Sequence, residues 1–292
     1  MRDLDSNLLR TFVTVAETGA VSATAQRLGR TQAAVSMQLR RLEEDLERRL
    51  FERSPRGLRL TEAGHLLLPY AHSILGAGAD ARRVLSASQV AGTVRLGMLE
   101  DIAVGSLPRA LQRFCAAYPH INLEITVDSS AAMSSRLLDG ALDIVIGDAH
   151  GIHAKPLVSW DQPLFWVGAR GLVLEPDLGG RPLPLVTFSG TCLWQPQVEQ
   201  KLRQAGLGWR VVCSSTSLPA VQSAIEAGLG IAVLLEGNIR PQSMRVLGPA
   251  EGLPSAPVVT FGLYVRPVPA AQATAVKALQ RFLEEELNIA SG

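Results

Sequence analysis

Residues Ala20–Leu42 read AVSATAQRLGRTQAAVSMQLRRL. The stretch predicts two short helices joined by a tight turn. Ser22 is placed to cap the first, its hydroxyl accepting from a free N–H two or three residues on. Ala23, Ala25 and Leu28 fall within that helix, where small side chains allow close packing. Gly29 follows, where a helix end favours the left-handed conformation, and Thr31 offers a second N-cap. Val35, Leu39 and Leu42 recur at steps of four and three, which puts them on one helix face. The opposite face carries Gln32, Ala33, Ser36, Met37 and Arg40. That surface is short, polar and nearly free of acids, as a surface meeting a DNA major groove should be. Periodicity alone equally allows a helical hairpin inside a larger core.

The flanking residues favour DNA. Leu50–Arg53 and Leu58–Thr61 bracket Ser54-Pro55-Arg56-Gly57, which reads as strand, turn, strand. This is a small wing directly after the second helix, with Arg53 and Arg56 at its tip, in reach of phosphates or the minor groove. The second helix is expected to run on through Glu43, Glu44 and Asp45 to about Glu47. Its acidic end must point away from phosphate.

Several short runs in fixed order resemble the LysR-type transcriptional regulators. They are Asn7-Leu8-Leu9-Arg10-Thr11-Phe12, Ala16-Glu17-Thr18-Gly19, Thr31-Gln32-Ala33-Ala34-Val35-Ser36, Leu42-Glu43-Glu44, Leu50-Phe51-Glu52-Arg53 and Leu60-Thr61-Glu62-Ala63-Gly64. The resemblance implies an α/β protein overall: an all-α winged helix-turn-helix with a long linker helix, then a two-lobed α/β effector domain like the periplasmic binding proteins. It implies DNA contacts from Thr31, Gln32, Ala33, Ser36, Met37, Arg40, Arg53 and Arg56. LysR-type chains commonly carry Gly where this one has Glu47, and many carry Arg in place of Met37.

The totals agree. The 292 residues are 47% hydrophobic and 19% charged, enough for a sizeable core and unlike a disordered chain. Residues 1–60 hold 11 Arg, no Lys and 8 acids, a net of +3, while the remainder nets −2. The N-terminal part therefore carries the modest positive bias a DNA surface needs, small enough to call for a dimer or more. No apolar run approaches the ~20 residues of a bilayer span, and Met1–Asp5 with its two acids is unlike a signal peptide. The expected location is the cytoplasm. Cys115, Cys192 and Cys213 are widely spaced, as reduced core thiols would be; a redox pair of Cys192 with Cys213 is the alternative.

Helix one is expected over Ser6–Thr18, ended by Gly19. From Thr61 to about Ser86, Ala63, Leu67, Tyr70, Ile74, Ala77, Ala81 and Val84 alternate steps of four and three, a heptad seam. A lone helix with that stripe must bury it. The family resemblance implies an antiparallel partner helix from a second chain, with Leu67, Tyr70 and Ile74 in the dimer interface; packing on its own domain is the alternative. Pro69 should kink the helix. Domain limits follow: 1–60 for DNA binding, 61–88 for the linker, and 89–292 for the effector domain. Its lobe I covers about 92–161 and 267–292, and lobe II about 162–266.

Strands alternate with helices through the second part. Expected strands are Val94–Met98, Ile121–Val127, Asp143–Gly147, Pro184–Phe188, Trp209–Val212, Gly230–Leu234 and Val258–Val265. Expected helices are Leu107–Tyr118, starting nearer Ile102, then Met133–Asp139, Pro196–Ala205, Leu218–Ala227 and Ala271–Leu287. Such alternation predicts parallel sheet with helices on its faces. Residues Pro163–Val167 read as a crossover between lobes. The stretch Trp209–Val221, with Ala227–Gly230 and Glu251–Pro254, is similar to the branch of the family that includes LrhA and PecT.

Ligands of open α/β sheets bind beyond the carboxyl ends of strands, often at helix starts. The candidates there are Glu100, Asp101, Ser129, Ser130, Thr191 and Ser217. Hydroxyls at helix starts commonly do nothing but cap. By resemblance, positions 101 and 130 match ligand-contacting positions of the first lobe. Many relatives have Ser or Thr at the first; this chain has Asp101 beside Glu100. If Asp101 faces the cleft, it disfavours a carboxylate ligand and favours an amine or polyol.

Catalysis finds little support. The chain has no Gly-x-Ser-x-Gly elbow and no P-loop, and Gly228-Leu229-Gly230 ends a helix and lacks a third glycine. Asp148, His150 and His153 lack further clustered ligands for a metal. The reading is a regulator rather than an enzyme, with a small-molecule co-inducer, no cofactor and no metal. Its partners are promoter DNA, a second copy in a homodimer or homotetramer, and RNA polymerase at the promoter. A stand-alone binding protein, or an enzyme on a binding-protein fold, is the alternative.

Overall fold

The computed structural model describes residues 4–54, 57–86, 90–104, 107–174, 181–190 and 192–286. The chain divides into two compact units, Met1–Ser88 and Gln89–Gly292.

The first unit starts with α1 (Ser6–Thr18), α2 (Val21–Arg27) and α3 (Gln32–Leu46), followed by β1 (Phe51–Ser54), β2 (Gly57–Leu60) and α4 (Glu62–Ser86). Asp5 caps α1 by accepting from the Asn7 N–H at 2.8 Å. Only Gly19 and Ala20 separate α1 from α2, so Ala20 takes the N-cap position and Ser22, expected there, already lies inside the helix. Gly29 has the left-handed φ of +61° that the turn requires, and Thr31 caps α3, accepting from the Ala34 N–H at 3.2 Å. Leu9, Phe12, Val15, Val35, Leu42 and Leu50 form the core, with the Phe12 and Phe51 rings 5.4 Å apart.

The wing is tied down by backbone. The Leu58 N–H donates to the Gly19 carbonyl at 2.8 Å, and a Cβ at Gly57 would stand 2.5 Å from that oxygen. Glu43 turns towards the start of the wing: its Oε1 accepts from the N–H groups of Leu50 and Phe51 at 2.7 and 3.3 Å. Helix α3 ends on Glu47 in the left-handed conformation, φ +52°, the one non-glycine with positive φ among the described residues. Its Cβ makes that conformation about 1 kcal/mol less favourable than for glycine.

Thr61 caps α4, its hydroxyl accepting from the Gly64 N–H at 3.1 Å. The helix carries two apolar stripes rather than one seam. Ala63, Leu67, Leu68, Ala71 and Leu75 pack on the core of their own unit. Leu66, Tyr70 and Ile74 are exposed, Tyr70 by 68%. Leu67 thus parts from Tyr70 and Ile74, with which the heptad pattern grouped it, because a helix wider than a strict two-position seam can bury one stripe and present another.

The second unit runs β3 (Gly92–Met98), α5 (Glu100–Val104), α6 (Leu107–Ala117), β4 (Ile121–Val127), α7 (Ser130–Leu138), β5 (Ile144–Asp148), β6 (Val158–Ala169), β7 (Leu183–Phe188), α8 (Gln195–Gln204), β8 (Trp209–Ser215), α9 (Leu218–Glu226), β9 (Ala232–Leu235), β10 (Met244–Leu247), β11 (Val258–Val265) and α10 (Ala270–Glu286). The main sheet has the order β10-β6-β11-β5-β3-β4, with β9 also on β6; β7 and β8 form a parallel pair. Parallel β3, β4 and β5 form lobe I, packed on α6 and α10 through Phe114, Leu279 and Phe282. Lobe II packs Trp166, Leu185, Trp194, Val198 and Ile231, with α9 adding Leu218, Val221 and Ile225.

Two long strands belong to both lobes. Leu263 of β11 lies in the first core, and Val259 and Phe261 lie in the second. The expected crossover Pro163–Val167 is therefore continuous strand inside β6. One expected helix over residues 102–118 is instead α5 and α6, and α7 starts a turn earlier than Met133. Strand β10 was not anticipated, since four residues with one face on β6 leave no alternation to read. Asp143, 1% exposed, binds Arg95 and Arg266 at 2.9 and 2.7 Å, tying β3 to the end of β11. Burial opposes its charge, but the hydrogen bonds from the two guanidiniums win and hold its carboxyl below the usual range.

Candidate functional site

The first unit presents a surface of mixed origin. Thr31, Gln32, Ala33, Met37 and Arg40 are exposed on α3, and Ser36 is partly so, while Val35, Leu39 and Leu42 on the other face are buried. Burial of one face fixes which side chains the other can offer. Gln38, not singled out from sequence, is held by Thr11, whose hydroxyl donates to Oε1 at 2.8 Å, and by Arg30. It positions α3 against α1. Arg53 is exposed at the wing; Arg56 lies outside the described residues.

The second unit encloses a cleft of about 450 Å³ between its lobes. Glu100, Asp101, Asp128, Ser129 and Ser130 line it from lobe I. Phe188, Ser189, Gly190, Cys192, Trp194 and Thr216 line it from lobe II. Of the sequence candidates, Glu100, Asp101, Ser129 and Ser130 thus meet at one site. Ser217 does not line it: it sits at the N-cap of α9, its N–H turned to Ser215 Oγ at 3.1 Å. Thr191 lies outside the described residues.

The hydroxyls of lobe I are engaged. Ser129 caps α7, accepting from the Ala132 N–H at 3.4 Å, and the buried Ser130 Oγ accepts from the Asp148 N–H at 3.0 Å. Asp148 lines the cleft too, 2% exposed. Its carboxylate accepts from Trp194 Nε1 at 2.8 Å and from the His150 N–H at 2.8 Å, with His150 Nδ1 at 3.1 Å. Sequence pointed to Asp148 only as a doubtful metal ligand, because nothing local marks a residue whose partner is 46 positions away. Among the described residues, no three His, Cys, Asp or Glu side chains are grouped to hold a metal.

Two acids cross the cleft. Glu100 Oε2 accepts from the Leu218 N–H at 2.7 Å, capping α9 of the opposite lobe. Asp101 Oδ1 accepts from Asn238 Nδ2 at 3.2 Å, in the 3-10 turn Glu236–Asn238 of lobe II. Asn238 is 2% exposed, and its own Oδ1 is buried with no hydrogen-bond partner. Burial pushes the Asp101 carboxyl up to about 6; the Glu100 charge adds to this, and hydrogen bonds from its own backbone and Asn238 oppose it. A carboxylate displaced by burial and a neighbouring charge inside a cleft is a candidate for function.

The cysteines are reduced as expected, but not all lie in a core. All three are free, and Cys115 is exposed rather than in a core. Burial raises the Cys192 thiol above its ordinary value, which favours the unreactive protonated form.

Residues 6–65 match the family model described as bacterial regulatory helix-turn-helix protein, lysR family. Residues 87–288 match that of the LysR substrate binding domain. The chain is 34% identical over 265 residues to the HTH-type transcriptional regulator PecT of Dickeya dadantii, covering 91% of this chain and 83% of PecT. It is 32% identical to DgdR of Burkholderia cepacia, covering 90% of this chain and 88% of DgdR. The fold is similar to that of Vibrio fischeri DarR, with a TM-score of 0.52 at 22% identity over 96% of this chain and 99% of DarR.

Asp101 supplies a test of the cleft's electrostatics. Its folded value lies above that of the unfolded chain, so the wild type forfeits stability above pH 6 and recovers it as pH falls towards 4. Asp101→Asn should therefore exceed the wild type in stability by about 1–3 kcal/mol at pH 8, with the gap closing near pH 4. Denaturant unfolding at the two pH values measures it, and a gap independent of pH refutes it.

Proposed function

The chain belongs to the LysR family of DNA-binding transcriptional regulators with an effector domain, and on that premise we propose how its own residues divide the work. The face of α3 that the core leaves exposed enters the major groove. Gln32 makes a bidentate contact to adenine, Ser36 bonds a base edge or phosphate, and Met37 meets a thymine methyl. Thr31 and Ala33 lie beside them at the helix start, where N–H groups favour phosphate. Arg40 and Arg53 hold the backbone. The observation that carries this reading is the one-sided exposure of Gln32, Met37 and Arg40 on a helix whose other face is the core of the unit.

The exposed stripe Leu66, Tyr70 and Ile74 pairs two copies, and Leu67 holds α4 to its own domain. A narrow stripe of this kind is what a partner helix buries. The effector binds between the lobes, alters their angle and thereby the spacing of the DNA-binding pairs in a dimer or tetramer, changing polymerase access. No catalytic role is assigned to the cleft. The protein acts in the cytoplasm, where its promoters are; among the described residues no helix is long and apolar enough to cross a membrane.

Titrations on cognate and random duplexes at several salt concentrations separate the roles. Gln32→Ala should cost roughly 1–3 kcal/mol on cognate DNA and little on random DNA. Arg53→Ala should weaken both and lower the salt slope by about 1. Equal loss on both duplexes for Gln32→Ala contradicts base reading. In sedimentation, Tyr70→Glu should yield monomers at concentrations where the wild type is associated; unchanged assembly removes the stripe from the interface.

A further inference from the structure

Four carboxylates line the cleft, Glu100, Asp101, Asp128 and Asp148, and the described lining residues include no Lys, Arg or His. Their charges are not equally compensated. Asp128 is paired with Arg136 at 3.4 Å. Asp148 is surrounded by donors, two N–H groups and the His150 ring. Glu100 and Asp101 are adjacent in sequence, and each receives across the cleft one neutral donor, from Leu218 and Asn238, not a cation. Two neighbouring carboxylates in a partly desolvated site repel each other, and a bound cation relieves that repulsion. Opposite them stand Phe188, Leu193 and Trp194, an apolar and aromatic wall that fits the body of a small ligand.

We propose that the effector of this protein is a small organic cation, a protonated amine carried on an apolar body, with its ammonium between Glu100 and Asp101 and its body against Phe188 and Trp194. This rests on the cleft being the effector site. An anionic effector of similar shape meets two uncompensated charges of its own sign and is excluded by them.

The test uses the full-length protein and three probes of one shape: phenethylamine, 2-phenylethanol and phenylacetate. Binding is followed by calorimetry at pH 7.5, with the fluorescence change assigned to the cleft by its loss in Trp194→Phe. Phenethylamine should bind at least tenfold more tightly than the alcohol, and phenylacetate more weakly than either. Asp101→Asn and Glu100→Gln, both close in size to the native residues, should each bring the amine within about threefold of the alcohol. Phenylacetate binding as tightly as the amine, with the Trp194 signal, overturns the cation class and leaves the cleft as effector site. Amine binding that both variants leave unchanged overturns the placement between the acids. No heat and no Trp194 response from any probe overturns the class and counts against the cleft as receptor.

Discussion

Glu100 and Asp101, at the head of a five-residue helix in one lobe, hold groups in the other. Glu100 supplies the cap that Ser217 does not give to α9, and Asp101 meets Asn238 in the turn after β9. Strands β6 and β11 pass between the lobes and join them, but a pair of strands can bend. With the Trp194–Asp148 hydrogen bond, these two acids are the side-chain links between the walls of the cleft described here, so the width of the cleft depends on them. Their position is set in turn by β3, anchored at its middle through Arg95 and Asp143. Trp160 and Phe261, stacked 6.0 Å apart where the strands cross, give the lobes a common packed base.

This arrangement sacrifices stability for a responsive site. Burying Asp101 with a charged neighbour is unfavourable, and leaving Asn238 Oδ1 without a partner adds to the cost. Both costs arise where the lobes meet, apart from the apolar clusters that pack each lobe. Stability–function conflicts concentrate at binding sites for this reason. The DNA-binding unit shows the opposite pattern. There Glu43, the one acid of the α3 cluster turned inward, is spent on the N–H groups that start the wing, and Gln38 braces α3 from behind. Gln32, Met37 and Arg40 are left exposed on the outer face of α3.

Much of this was legible in the sequence where local pattern and burial coincide. Helix α1 and strands β4 and β11 fall where periodicity placed them, and Thr31 and Thr61 cap as their spacing implied. The misses have physical causes. Ser22 lost its cap because the α1–α2 connection is only two residues long. Leu67 was grouped with Tyr70 and Ile74 because a heptad count cannot tell a stripe buried at home from one left for a partner. The candidate site was legible through its helix starts, Glu100, Asp101, Ser129 and Ser130. Phe188, Trp194 and Asp148 join it only through long-range packing, which no local motif records.

The central claim is that the acids of α5 bridge the lobes of the free protein, and the Leu218 amide reports on this directly. At the first turn of α9 this N–H has no acceptor within its own helix, and its hydrogen bond goes to Glu100. Hydrogen exchange of that amide should be at least tenfold slower in the wild type than in Glu100→Ala, with exchange in the core of lobe I unchanged. Equal rates at Leu218 in the two proteins would mean that the Glu100 bridge is not made, and that the lobes are held without it.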